Sequence, residues 1–147
     1  MAASSFIQSN TQKGRVVKAP AAVLTGKEGT LVSLQSTASG MATVNTTGAG
    51  SRADYVLLEG GTSVGDSTYL NETTNDLLDV VVLPLTSDQQ VRVIATSAFN
   101  GGVEVQSDSS GQAVAASSTG WVFGISEESA VAGQYALIKP VGPYIKA

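Results

Sequence analysis

The stretch VSLQSTASGMA occupies residues 32–42, and VEVQSDSSGQA repeats its pattern at residues 103–113, 71 positions later. The shared pattern is V-x-[LV]-Q-S-x-x-S-G-x-A. Apolar and polar residues alternate before the Ser-Gly pair, which predicts a strand, a turn relaxed by glycine and a second strand, that is, a β-hairpin. A strand led by an aromatic residue, Tyr55 or Trp121, follows each copy. The repeat indicates either two related β-units or a chance similarity in a chain rich in Ser, Gly and Val.

The composition of the whole chain favours strands. Of its 147 residues, 42% are hydrophobic and only 14% are charged, whereas soluble domains usually carry about 25% charged residues. Val, Ile and Thr suit pleated strands, and Gly, Ser and Asn suit the turns between them. The sequence predicts an all-β fold, a compact β-sandwich or small β-barrel of short antiparallel strands. The strand candidates are Gly14–Lys18, Thr30–Leu34, Tyr55–Leu58, Leu77–Leu85, Val91–Thr96, Val103–Gln106, Ala113–Ala116, Trp121–Ile125 and Tyr135–Val141.

Charge divides the chain into a basic start and an acidic body. Residues 1–27 carry four cations and no acid, whereas residues 28–138 carry twelve acids and two cations. We therefore predict a flexible basic N-terminal arm over residues 1–18 and a β-domain over residues 19–147, with possible sub-units 19–90 and 91–147. The arm is a disordered tail without a function or a segment that orders against an acidic partner surface. RNA binding is a weaker third option, because the cations are few and the body is acidic. The candidate contact residues in the arm are Phe6, Ile7, Lys13, Arg15 and Lys18.

The inventory of reactive side chains argues against an enzyme. The chain has no His and no Cys, so Ser-His-Asp and Cys-His catalysis, Cys/His metal sites and disulfides are excluded. Carboxylates and amides crowd Asp66–Asp79, but they lack EF-hand spacing, and a solvated loop is the preferred interpretation over a calcium site. Glu127 and Glu128 are adjacent, and we expect an exposed loop pair. No catalytic, cofactor-binding or metal-binding residue is predicted.

Net charge and hydropathy limit the partners. The chain has a formal net charge of −4 and a pI of about 4.6, which disfavours general nucleic-acid binding. No apolar stretch approaches the roughly 20 residues that span a membrane. We therefore expect no nucleic acid, membrane or small-molecule substrate as partner.

Trp121 and Phe123 lie two positions apart, on the same side of a predicted strand. Aromatic residues at this spacing pack in a core by default. The more specific alternative is that Trp121 and Phe123 contact a neighbouring subunit.

The sequence FGISEESAVAGQ at residues 123–134, followed by the strand predicted over Tyr135–Val141 and by Gly142, resembles the C-terminal pattern of capsid decoration (cement) proteins of tailed bacteriophages. In those proteins a G-[IV]-x-x-[ED]-x-A-x-A-G-[EQ] turn links two strands of a compact β-domain. The Val103–Ala115 hairpin is similar to the strand pair that precedes the turn in that family. The resemblance covers about Val103–Gly142. The segment Val32–Leu58 resembles the same family pattern more weakly.

The resemblance implies a non-enzymatic structural protein of the virion. Such a protein lies on the outer surface of the phage head, binds the major capsid protein and stabilises the expanded shell. It needs no cofactor, it often forms a homotrimer, and its N-terminal arm is able to order on the shell. This chain is longer than the shortest members by roughly Arg52–Ser97, which is either a second β-unit or an elaborated loop.

Two other functions remain open from the sequence alone. A non-catalytic tail, fibre or surface β-module would bind carbohydrate through Trp121 and the four Tyr residues. A hydrolase that relies on carboxylates alone would need two close carboxyl groups in a deep pocket. For the decoration protein, we predict that removal of residues 1–18 leaves the fold intact and weakens attachment to the capsid.

Overall fold

The computed structural model describes residues 13–16, 29–36, 43–57, 78–83 and 90–147, and every structural statement below concerns these residues. They form ten strands and no helix. The strands are β1 (Lys13–Val16), β2 (Leu31–Gln35), β3 (Thr43–Thr46), β4 (Tyr55–Leu57), β5 (Leu78–Val82), β6 (Val91–Ile94), β7 (Glu104–Ser107), β8 (Ala113–Ala115), β9 (Trp121–Ser126) and β10 (Tyr135–Ile145). No helix of the described ranges is long and apolar enough to cross a membrane.

The strands form two antiparallel sheets of five. The first sheet has the order β1-β5-β4-β2-β3, and the second has the order β6-β10-β9-β7-β8. Adding five to each strand number of the first sheet reproduces the second. The predicted all-β class and sandwich architecture are confirmed, and each sheet is built from one continuous half of the described strands.

The two hairpins of the sequence repeat have the same register. Leu34 lies opposite Val44 in the first hairpin, and Val105 lies opposite Ala115 in the second. The two members of the first pair, each moved by 71 positions, give the second pair. The sequence repeat therefore corresponds to a structural repeat, because chance similarity would not conserve both strand order and register.

A shared hydrophobic core joins the two sheets. Alternate residues of each strand point to one face of a sheet, and the facing sides of both sheets are apolar. Full burial of an aliphatic side chain contributes about 1.5–3 kcal/mol, so this core is the main source of stability. Its buried members are Leu31, Ala53, Val56 and Val81 near the first sheet, and Val91, Val93, Ala95, Phe99, Val105, Ala113, Phe123, Ala130, Ala136 and Ile138 near the second.

The first sheet is apolar on both faces. Val81 belongs to the shared core, whereas its neighbour Val80 is fully buried on the opposite face. Val32, Val44 and Leu57 are also fully buried and lie outside the shared core. The predicted strand at Leu77–Leu85 is thus confirmed as β5, which lies between β1 and β4 and is covered on both sides.

Backbone hydrogen bonds tie the two sheets together at the turns. The amide of Leu31 donates to the carbonyl oxygen of Gly111 over 2.7 Å, and the amide of Gly50 donates to that of Ser107 over 2.8 Å. Gly111 is the glycine of the second Ser-Gly pair, and its φ of +76° lies in the left-handed region. A Cβ at this position would lie 2.6 Å from the Leu31 oxygen. The glycine of the repeat is therefore needed both for the turn and for the close approach of the sheets.

Candidate interaction surface

The candidate contact residues of the basic arm lie mostly outside the described residues. This holds for Phe6, Ile7 and Lys18. Lys13 and Arg15 belong to β1, where they pair with Val81 and Asp79 of β5. The strand predicted over Gly14–Lys18 therefore exists as β1, whereas a contact between the arm and a partner stays a prediction.

Trp121 and Phe123 have different environments although both belong to β9. Phe123 is only 4% exposed and packs in the shared core. Val105 pairs with Gly124 and Gln106 pairs with Val122, so the ladder shifts register at Phe123. Trp121 is half-buried at the start of the strand. Core packing therefore accounts for Phe123, whereas a contact between Trp121 and a neighbouring subunit stays a prediction.

Trp121 is the centre of a small apolar and cationic patch. The guanidinium of Arg52 lies 5.7 Å from the centre of the Trp121 ring, within cation–π range. Ile145 lies opposite Trp121 in the β9–β10 ladder and is 54% exposed. The amide of Trp121 donates to the carbonyl oxygen of Gly50 over 2.9 Å, which brings the Arg52 loop to β9. We call Arg52, Trp121 and Ile145 the Trp121 patch.

A polar network holds the end of β10 against β7. The Tyr144 hydroxyl donates to the Glu104 carboxylate, and the Lys146 ammonium lies 3.2 Å from Glu104 Oε1. Lys146 Nζ also donates to the carbonyl oxygen of Ala116 over 3.1 Å. The hydrogen bond from Tyr144, followed by that from Lys146, lowers the pKa of Glu104. The same bond raises the pKa of Tyr144, because it stabilises the protonated hydroxyl.

The lowered pKa of Glu104 predicts an acid-sensitive contribution to stability. The carboxylate stabilises the fold at pH values above its unfolded pKa, and this contribution is lost as the pH falls through the lower folded pKa. We expect Glu104→Gln to lower the melting temperature at neutral pH. At pH values below the ordinary pKa of Glu, about 4.3, the melting temperatures of the variant and the wild type should lie closer together. Tyr144→Phe, which removes the first hydrogen bond, should act similarly. A difference from the wild type that does not change with pH would contradict this assignment.

Two acidic side chains follow the last residue of β9, at the end of the strand away from Trp121. Glu127 and Glu128 are both exposed, as predicted. Gln90 Nε2 donates to Glu127 Oε1 over 2.8 Å, and Arg92 lies 3.8 Å from Glu128. No group of three acidic side chains in the described part of the chain is placed to hold a metal ion. Apart from Leu78 and Asp79 in β5, the candidate calcium segment lies outside the described residues.

The surface residues that sequence reasoning missed are distant in the chain. Arg52 belongs to the loop before β4 and meets Trp121 only because the two sheets pack together. Glu104 and Tyr144 are separated by 40 positions. The sequence offered no signal for either contact, because neither follows from alternation within a strand.

Comparison with known proteins identifies similarity at the level of the fold. Neither a known protein family nor a curated protein sequence matches this chain. The fold is similar to a solved structure described as "The crystal structure of head fiber gp8.5 N base in bacteriophage phi29", with a TM-score of 0.65 and 19% sequence identity. The similarity covers 88% of this chain and 95% of that chain. At this identity the likeness concerns the fold alone.

Proposed function

We propose that this chain is a structural protein of a phage head, and specifically a decoration protein that binds the outer surface of the shell. The observation that carries the proposal is the fold similarity with the head fiber base over 88% of the chain. The segment at residues 123–134, which resembles that of decoration proteins, covers the end of β9 and the connection from β9 to β10 of the same fold. Two independent resemblances therefore favour a phage head.

The described surface suits attachment by contact. The Trp121 patch combines an exposed Ile145 with the cation of Arg52, and the basic arm adds charge at the start of the chain. On a regular lattice, many weak contacts of this kind produce high avidity. The partner in this proposal is the major capsid protein, and a homotrimer is the assembly that the decoration family suggests.

A fibre component is the second candidate. The solved relative is described as the base of a head fiber, which favours a protein that occupies few positions on the head. Both candidates are non-enzymatic virion proteins. They differ in the number of copies on each particle.

Binding to isolated heads tests the attachment. We expect the wild-type chain to sediment with expanded heads. Removal of residues 1–12 takes away Phe6 and Ile7 but no charged side chain, and it should weaken that binding by about tenfold, as loss of a few apolar contacts would. This deletion keeps β1, whereas removal of residues 1–18 also takes away a strand that pairs with β5. Unchanged binding by the shorter deletion, with an unchanged melting temperature, would exclude Phe6 and Ile7 from attachment.

A further inference from the structure

The connection between β6 and β7 contains the sequence Asn100-Gly101-Gly102. Backbone hydrogen bonds anchor it on both sides. Phe99 exchanges two bonds of 3.1 and 3.0 Å with the β9–β10 connection, and the amide of Gly102 donates to the carbonyl oxygen of Ser126 over 2.6 Å. Asn100 and Gly101 lie between these anchors and are both exposed. The structure therefore presents an asparagine-glycine pair to solvent.

The two groups of this pair that are able to react with each other are unengaged. Within the described part of the chain, neither the Asn100 side chain nor the Gly101 amide makes a hydrogen bond. The Asn100 side chain can therefore rotate without breaking one. Gly101 carries no Cβ, so no side chain of its own shields its nitrogen. The Gly101 nitrogen and the side-chain carbonyl carbon of Asn100, Cγ, are thus free to meet.

We propose that Asn100 is a site of spontaneous deamidation. The Gly101 nitrogen attacks Cγ of Asn100 and forms a bond to it, which closes a succinimide ring. The bond between Cγ and the side-chain nitrogen breaks, and that nitrogen leaves as ammonia with the proton that the Gly101 amide has given up. Attack within one chain avoids the entropic cost of bringing two molecules together. The step therefore needs no enzyme and no cofactor.

Water then opens the succinimide ring in one of two ways. Addition at Cγ breaks the new bond to the Gly101 nitrogen and leaves an aspartate at position 100. Addition at the main-chain carbonyl carbon of Asn100 breaks the original peptide bond instead and leaves isoaspartate, in which the main chain runs through the former side chain. Overall, a water molecule enters, ammonia leaves, and nothing is oxidised or reduced.

Asn45 is an asparagine of the same chain that the structure protects from this reaction. It lies in β3, pairs with Ser33 of β2 and is followed by the β-branched Thr46. The amide of Thr46 donates to Asn45 Oδ1 over 2.9 Å, so its hydrogen is already engaged. Closure of the ring also requires rotation about the Cα–C bond of the asparagine away from the extended conformation, and the ladder opposes this rotation. Asn100 belongs to no strand.

Deamidation changes both the charge and the stability of the molecule. Each product adds a carboxylate to a chain whose formal net charge is −4. Isoaspartate also lengthens the main chain by a carbon atom between the anchors at Phe99 and Gly102. Phe99 is 7% exposed and belongs to the shared core, so the longer connection should loosen the core and lower the melting temperature. The inference does not depend on the proposed function.

The test follows the intact chain during storage at physiological temperature in mildly alkaline buffer. Peptide mapping by mass spectrometry locates each conversion of an asparagine to an acid, and anion-exchange chromatography separates the more acidic form. We expect Asn100 to react about tenfold faster than Asn45 or more, because only Asn100 reaches the ring geometry without breaking a hydrogen bond. Asn100→Gln should remove most of the acidic form, because the longer side chain of glutamine closes a larger ring much more slowly.

Thr46→Gly is the matched control, because it creates the same asparagine-glycine pair inside β3. In this variant, once circular dichroism shows that it is folded, Asn45 should still react several-fold more slowly than Asn100. If the variant does not fold, the comparison of Asn45 with Asn100 in the wild type and the Asn100→Gln variant still decide. Equal rates at the two asparagines, in the wild type or in folded Thr46→Gly, would overturn the inference, as would an unchanged amount of the acidic form in Asn100→Gln.

Discussion

Phe123→Ala is expected to lower the free energy of unfolding by about 3–5 kcal/mol, the usual cost of truncating a buried phenylalanine. Phe123 is 4% exposed, and its ring packs in the core between the two sheets. Its strand β9 lies between β7 and β10, so the cavity cannot be filled by movement of an edge strand. Urea denaturation followed by circular dichroism measures the loss.

Trp121→Ala is the matched control for the Phe123 prediction. Trp121 is half-buried, and its contact with Arg52 is a cation–π pair worth about 0.5–1 kcal/mol at an exposed site. We expect a clearly smaller loss of stability than for Phe123→Ala. If Phe123→Ala instead changed only the subunit association and left the unfolding free energy of the chain unaltered, the core assignment would be wrong.

Gly111→Ala is expected to cost about 2–5 kcal/mol, the sum of a left-handed backbone penalty of about 1–2 kcal/mol and an overpacking penalty of about 1–3 kcal/mol. The added Cβ would lie 2.6 Å from the Leu31 oxygen and 2.9 Å from Thr46 Cγ2. Leu31 is also the donor of the 2.7 Å hydrogen bond to the Gly111 oxygen. Relief of the clash therefore separates the sheets at this turn.

Gly133→Ala isolates the contribution of the backbone conformation. Gly133 has a φ of +83°, and a Cβ there would meet nothing within 4 Å. This substitution should cost only about 1–2 kcal/mol, the left-handed penalty alone. Equal losses for the two glycines in urea denaturation would show that the approach of Gly111 to the first sheet contributes nothing to stability.

The sequence predicted the strands well because their signal is local. Alternation and glycine turns located β7, β8 and β9 within a few residues, and the repeat predicted the hairpin that contains β3. Alternation alone does not tell which face of a strand points to the core. Leu34 and Val105 occupy the same position in the repeat, yet one is 45% exposed and the other is fully buried. Only the packing of the two sheets decides between them.

The candidate surface was predictable only in part. Trp121 was identified as an aromatic residue with a possible contact role, but its partners Arg52 and Ile145 meet it through tertiary packing. Phe123, chosen by the same spacing argument, lies in the core because the ladder shifts register beside it. A β-bulge of this kind leaves no clear trace in an alternating sequence.

The copy number of this chain in purified phage particles tests the proposed function most directly. Quantitative mass spectrometry compares its amount with that of the major capsid protein. A decoration protein predicts a ratio near one, or a simple fraction set by the lattice of the shell. A few copies per particle would favour the fibre component instead, and absence of the chain from the particles would contradict a role in the virion.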